Sequence, residues 1–284
     1  MGSLYLVATP IGNMEDITLR ALRVLKEVDI IACEDTRHTA KLLTRHCITT
    51  PRKSCHEFNE ENRVPEFIRM LHEGKNIALV GDAGTPLVSD PGYKIVSACR
   101  SEGIPVVPVP GACSVVAALV ASGLPSDSFF FAGFLPSRTT QRRRRLEELA
   151  SIPATLILYE APHRLIGSLK DMANVLGNRR AALAREITKI YEEFLCGTID
   201  EILCTLKNRP EIRGEITLVI ENGDVKRAKL SAHVFPESIR EHLTEEMKKS
   251  GMSRNETLKV IAHARGLTRR DAYRLLQDEP DAGP

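Results

Sequence analysis

Nowhere in the 284 residues does an apolar run approach the length of a membrane span. The N-terminus also lacks the basic and apolar regions of a signal peptide, so the expected compartment is the cytoplasm. Seven cysteines are present, an odd number, and no two are spaced as C-x-x-C, which argues against a disulfide framework and for reduced thiols. His and Cys are scattered without ligand spacing, and no metal site is expected. No Gly-Lys-Ser/Thr follows a glycine loop, and no G-x-G-x-x-G opens a helix; the common triphosphate and dinucleotide cradles are therefore excluded. Net charge is small as well: 39 basic against 37 acidic residues leave +2, so distribution matters more than balance. A chain that is 43% hydrophobic and 27% charged is globular in composition, and it is long enough for two domains.

What is present is a set of rigid loops at strand ends. The apolar run Ile77 to Val80 reads as a buried strand that enters Gly81-Asp82-Ala83-Gly84-Thr85-Pro86-Leu87-Val88-Ser89-Asp90-Pro91-Gly92. Glycine lets backbone approach a ligand closely, and proline stiffens a loop that has few side chains to order it. The chain opens in the same way, a strand over 4–8 running into Thr9-Pro10-Ile11-Gly12-Asn13. A third strand, Val106 to Val109, ends in Pro110-Gly111-Ala112-Cys113-Ser114. Open α/β sheets place small ligands outside the carboxyl ends of their strands, so three such loops at one edge point to one shared cleft.

Strand and helix patterns alternate along the chain, which predicts α/β architecture with parallel strands. Strands are expected near 4–8, 28–33, 76–80 and 105–109, and helices near 18–27, 36–46, 61–73, 93–102 and 112–122. Small and turn-forming residues over 121–127 mark a linker. A second half follows, with strands near 129–133, 154–159, 181–185, 191–196 and 214–221 and helices near 140–150, 162–176 and 198–207. The expected domains are thus 1–122, 123–224 and a helical tail over 225–284. In that tail Ile239, Leu243 and Met247 recur every four residues. Gly251-Met252-Ser253-Arg254-Asn255-Glu256 and Gly266-Leu267-Thr268-Arg269-Arg270-Asp271 each read as a helix stop followed by a capped start, the first a full capping box. The tail is expected to be a compact three-helix unit of helix-turn-helix character, for nucleic acid or for packing and dimerisation.

Six motifs in order, Ala-Thr-Pro-Ile-Gly-Asn, Glu-Asp-Thr-Arg, Gly-Asp-Ala-Gly-Thr-Pro-x-x-Ser-Asp-Pro-Gly, Pro-Gly-x-x-Ser, Tyr-Glu-Ala-Pro-His-Arg and Arg-Glu-Ile-Thr-Lys, resemble the tetrapyrrole methylase superfamily over residues 3 to about 224. The resemblance implies a two-domain α/β fold of the class III methyltransferase kind, with the small helical module appended. It implies S-adenosylmethionine as cofactor, in a cleft against Pro10, Gly81, Asp82, Ala83, Gly84, Thr85 and Ser114, completed by Ala121, Tyr159, Gly214, Glu215 and Ile216. The acidic-glycine fingerprint of Rossmann-type methyltransferases is absent, in keeping with that alternative fold. The motifs are most similar to members that methylate the ribose 2′-hydroxyl of a decoding-region cytidine in small-subunit (16S) ribosomal RNA. A homodimer is implied as well, with ribosomal RNA or the assembled 30S subunit as partner.

Five arginines, Arg138 and Arg142, Arg143, Arg144 and Arg145, fall within eight residues, and no acid interrupts the last four. Such a run is either a solvated helix face or a seat for a polyanion; the missing acids favour the polyanion. Candidate groups for handling the acceptor proton are Asp35, Glu186 and Lys189, from Glu34-Asp35-Thr36-Arg37 and Arg185-Glu186-Ile187-Thr188-Lys189. Arg37 and Arg185 would suit phosphate, since the guanidinium fork matches two oxygens. Lys189 serves as a base only if burial lowers its pKa, and otherwise Asp35 is a helix cap and Glu186–Lys189 an i,i+3 pair. Two other functions share the fold or the tail: methylation of a small tetrapyrrole, and a non-enzymatic regulator that senses a cofactor and binds nucleic acid. The first leaves the arginines and tail without a role, and the second leaves three cleft loops in excess of need.

Overall fold

The computed structural model describes residues 1–222 and 238–278, except Gly266 and Thr268. It divides into two compact units, Met1–Glu221 and Asn222–Pro284.

The first unit contains two five-stranded sheets. The first is wholly parallel, in the order β3 (Arg52–Ser54), β2 (Ile30–Cys33), β4 (Ile77–Val80), β1 (Leu4–Val7), β5 (Val106–Val109). β4, a run of four buried aliphatics, lies mid-sheet as a strand covered on both faces must. From β1 the chain runs outward through α1 (Leu19–Glu27) to β2, and through α2 (Thr36–Arg45) to the edge strand β3. It returns through α3 (Glu60–His72) to β4, then crosses by α4 (Tyr93–Ser101) to β5 on the far side of β1. That reversal puts the switch point at β1, flanked by β4 and β5, and the three Pro/Gly loops leave the carboxyl ends of these strands. A backbone bridge between Thr9 and Gly84 ties two of the loops together.

The second sheet differs from the expected parallel arrangement. Its order is β6 (Phe129–Phe134), β7 (Thr155–Glu160), β10 (Ile216–Ile220), β8 (Arg180–Arg185), β9 (Glu193–Thr198), and only β6–β7 is parallel. The segment 186–192 between β8 and β9 is too short for a crossover, so those strands form a hairpin. Side chains of β10 alternate: Ile216, Leu218 and Ile220 join the core under α6 (Thr139–Ala150), α7 (Leu165–Leu176) and α8 (Ile199–Lys207). Val219 faces the other way, with Ile157, Ala182 and Ala184, against Val115, Ala118 and Leu119 of α5 (Ser114–Ala121). α5 leaves the first sheet yet buries its apolar side on the second, and so draws the two halves together.

In the second unit the helices Ile239–Ser250, Arg254–Ala264 and Arg269–Asp278 enclose Ile239, Leu243, Leu258, Ile261, Ala262, Ala272 and Leu276, with Met247 and Leu267 at the margin. Gly251 ends the first helix in the left-handed conformation, its N–H donating to Met247. At the next start Glu256 accepts from the Ser253 N–H and hydroxyl, the return half of the expected capping box. Gly266 and Thr268 of the second expected start lie outside the described residues. Among the described residues no helix is long and apolar enough to cross a membrane.

Candidate active site

Two cavities meet at the switch point. The larger, about 430 Å³, lies between the sheets and is lined by Ile11, Asp82 and Ala83, by Val88, Ser89 and Asp90, by Ser114, by Phe134 with Tyr159–Pro162, by Ile187 and by Gly214–Thr217. The smaller, about 220 Å³, lies against the start of α2 and is lined by Thr9–Gly12, Met14, His38, Thr39, Leu42, Gly81–Ala83, Lys189 and Glu215. Ile11, Asp82, Ala83 and Glu215 border both and act as a partition.

Seven of the cofactor residues expected from sequence line the larger cavity: Asp82, Ala83, Ser114, Tyr159, Gly214, Glu215 and Ile216. Pro10 and Gly81 line only the smaller one. Gly84 and Thr85 border neither and instead hold the loops in place. Gly84 pairs with the Thr9 backbone at a φ of +77°, and the Thr85 hydroxyl donates to Ala112. Ala121 falls away from both cavities; it is exposed at the far end of α5, roughly 10 Å along the helix from Ser114. Tyr159 and Ser114 share a hydrogen bond of 2.7 Å, and the Phe131 and Phe134 rings back the phenol. Burial pushes the Tyr159 pKa up, so the phenol stays neutral.

Asp90, Glu160, Ala161 and Phe134 belong to the larger cavity although sequence reasoning did not assign them. The signal for Asp90 lay in the same Gly/Pro loop. Leu87 and Ser89, neither a glycine, take positive φ (70° and 66°), so the loop is strained as it carries Asp90 inward. The Asp90 carboxyl presses on Gly81 so closely that a Cβ there would run into it. Its Oδ2 is buried without a hydrogen-bond partner. Burial first, then the Glu34 and Asp82 charges, push its pKa up to about 7.

Of the two groups proposed to handle the acceptor proton, Lys189 lines the smaller cavity beside His38 and Thr39 of α2 and Ile187 lines the larger, while residues 34–37 line neither. Their electrostatics oppose a base at any of the three positions. Asp35 caps α2 and takes bonds from the Arg37 side chain and N–H, which hold its carboxyl well below the usual range. It reaches the cavity only through its N–H, which donates to Asp82 Oδ1 at 3.0 Å. For Glu186, burial raises the pKa, but the Glu215 N–H and Lys189 outweigh it and leave the carboxyl more acidic. Burial likewise works against the Lys189 charge, yet Glu186 at 2.9 Å and Glu215 at 3.2 Å hold its pKa above the ordinary lysine value. The lowered pKa that a basic Lys189 required is therefore absent. Glu186 and Thr188 have φ of 53° and 68°, and a Cβ at Gly214 would strike the Glu186 carboxylate, so this turn is built to hold its ion pairs.

The arginines do not act as one set. Arg142 is buried, 6% exposed, and pairs with the buried Asp171, donating also to Ser137 and Thr139; it is an internal strut and presents no charge to a partner. Arg143 shares Asp171 from a half-exposed position, Arg145 pairs with Glu148, and Arg144 stands 83% exposed. Arg37 is exposed beside Asp35, while Arg185 is held by Glu193, which Arg209 also grips. Among the described residues no group of three or more His, Cys, Asp or Glu is placed to hold a metal ion.

The residues present fit S-adenosylmethionine. The larger cavity falls in the size range of small-molecule sites. It joins apolar and aromatic walls to hydroxyls at Ser89, Ser114 and Thr217, and its carboxylates complement a cation. Comparison with known proteins agrees. The model of the tetrapyrrole (corrin/porphyrin) methylases matches residues 3–203. A Halalkalibacterium halodurans protein named ribosomal RNA small subunit methyltransferase I is 48% identical over 281 residues, 98% of this chain and 96% of that one. A Bacillus subtilis protein of the same name is 45% identical over 274 residues, 96% and 93% of the two chains. In fold, the chain is similar to uroporphyrin-III C-methyltransferase of Thermus thermophilus complexed with S-adenosyl homocysteine, with a TM-score of 0.53 at 23% identity over 80% of this chain and 100% of that one. With motifs, fold and cleft in agreement, the chain belongs to the tetrapyrrole methylase family.

Proposed function

We propose that this protein transfers the methyl group of S-adenosylmethionine to the ribose 2′-hydroxyl of a cytidine in the decoding region of small-subunit ribosomal RNA, in the cytoplasm. The observation that carries this reading is the cofactor-sized cavity sharing a partition with a second chamber that contains a lysine ammonium fixed by two carboxylates. Near-full-length similarity to proteins named for small-subunit ribosomal RNA supports the substrate class. Arg143, Arg144 and Arg145 on α6, with Arg37 on α2, supply exposed charge for phosphates. Val116 and Val120, apolar and exposed one turn apart on α5, support a homodimer.

The cofactor brings an activated methyl on a sulfonium, so the protein's task is orientation and charge. Phe134, Tyr159 and Ile216 shape the larger cavity, while Asp82 and Asp90 favour a cation in it. Lys189, kept charged, faces the partition and would orient the ribose hydroxyl by donating to a lone pair of its oxygen, and the hydroxyl proton would leave to solvent water as the oxygen takes the methyl. With Asp35 and Glu186 held acidic, positioning by Lys189 replaces general-base catalysis by these carboxylates. The test is methyl incorporation from labelled cofactor into small subunits lacking the modification, by wild type and Lys189→Met. The wild type should label the subunits. The variant should bind cofactor normally and lose about a hundredfold in single-turnover rate, the scale on which a misplaced acceptor slows reaction. Labelling of a tetrapyrrole in place of the subunits would overturn the reading.

A further inference from the structure

The smaller cavity has a feature that cofactor binding does not use. Thr9 lies at its base, 4% exposed, and its hydroxyl has no hydrogen-bond partner. The bridge to Gly84 fixes the Thr9 backbone on both sides, N–H to Gly84 and carbonyl from Gly84, so the side chain is held where it is. Buried hydroxyls are normally satisfied, and one left without a partner on a residue that lines a cavity marks a place for a ligand atom. Thr39, 3% exposed, lines the same cavity, and its hydroxyl has no hydrogen-bond partner either. Pro10, Ile11, Met14 and Leu42 make the walls apolar, and His38 stands exposed at the rim. Asp82 and Glu215 close the side toward the partition, and Lys189 is already paired with two carboxylates. Such a chamber repels a phosphate and suits a flat ring with a polar edge.

We propose that the smaller cavity is the acceptor-base subsite: it receives the unstacked single-ring base of the nucleotide being methylated, its polar edge on the Thr9 hydroxyl. The ribose of that nucleotide then lies at the Ile11–Asp82–Ala83 partition, beside Lys189. A hydroxyl both donates and accepts, so it can meet the edge of a base, while apolar walls take the ring faces and His38 stacks at the rim. The size agrees: about 220 Å³ is half the larger chamber, which must house a purine, a ribose and an amino-acid chain. RNA read base by base is read where bases are splayed out of the stack, and enclosure of this kind requires it.

The proposal rests on the ribosomal reading, and its test separates the two. Thr9→Val is nearly isosteric and keeps the backbone bridge. Met14→Trp, in the partly exposed turn Met14–Asp16, fills the chamber from its rim. Each variant should bind S-adenosylhomocysteine as the wild type does in calorimetry. Thr9→Val should need about tenfold more small subunits for half-maximal methylation, the upper range for one lost hydrogen bond, and Met14→Trp still more. The melting temperature of Thr9→Val should not fall, because the hydroxyl removed has no partner in the free protein. Unchanged subunit requirement in both variants would overturn the assignment. So would a lowered melting temperature with loss of cofactor binding, the mark of a structural Thr9. A wild type that binds cofactor but labels no subunits would instead remove the ribosomal reading, and the base subsite with it.

Discussion

Asp90 sits where the strained loop after β4 presses on Gly81, and the cost of that placement can be measured through pH. An unfolded Asp titrates at about 4; in the fold this one titrates at about 7, through burial and the neighbouring Glu34 and Asp82. Between those values the native state holds a proton that the unfolded chain has released. The stability present below about pH 4 is therefore lost as pH rises to about 7. Asp90→Asn cannot ionise, so its melting temperature relative to wild type should climb between about pH 4 and about pH 7 and level off above that. Its affinity for the cationic cofactor should fall at the alkaline end, where wild-type Asp90 carries charge. A constant difference in melting temperature across that range would show that Asp90 is not the titrating group. Gly81 was legible in the sequence as a close-approach glycine. What it approaches was not, because the carboxylate lies nine residues further on and turns back only through left-handed Leu87 and Ser89.

At the scale of one element, α6 shows why a charge run cannot be read from its order alone. Arg142 to Arg145 turn through a full helical circuit, so one of them must point at the core. The residue that neutralises Arg142, Asp171, lies 29 positions away on α7 and left no mark near the run. Replacing Arg143, Arg144 and Arg145 with Gln should reduce the slope of log RNA affinity against log salt by up to about three units, at nearly one per phosphate contact. Arg142→Gln should leave that slope alone and cost about 2 kcal/mol of stability in denaturant titration, by removing one of the two guanidinium partners of the buried Asp171. Equal effects of all four on the slope would return Arg142 to the RNA face. Similar reasoning applies to the second sheet. Its strands were visible as apolar runs, but strand direction depends on connection length, and the seven-residue turn 186–192 was the only local sign of a hairpin. The edge strand β3, Arg-Lys-Ser, carries no apolar pattern and was missed for that reason.

Across the whole molecule, legibility followed the backbone. The cleft was foreseen because Pro and Gly mark the strand ends that build it, and those residues are informative wherever they stand. The smaller cavity was not, since His38, Thr39 and Leu42 are ordinary members of an amphipathic helix until β1 and β4 bring their loops against it. The tail was readable by its period and caps, and it has its own buried cluster, from Ile239 to Leu276. Compact unit Met1–Glu221 contains both cavities and every residue assigned here to chemistry. A protein ending after Asn222 should therefore melt cooperatively and bind cofactor with wild-type affinity. If the tail engages substrate, the same protein should need more small subunits for half-maximal methylation at an unchanged single-turnover rate once they saturate, because an interaction equal in ground and transition states alters only apparent binding. If the tail serves assembly, sedimentation should instead show a dimer replaced by a monomer at matched concentration. Loss of cofactor binding without any change in mass would mean that the first unit depends on the second for its fold, contrary to the separate cores seen in each.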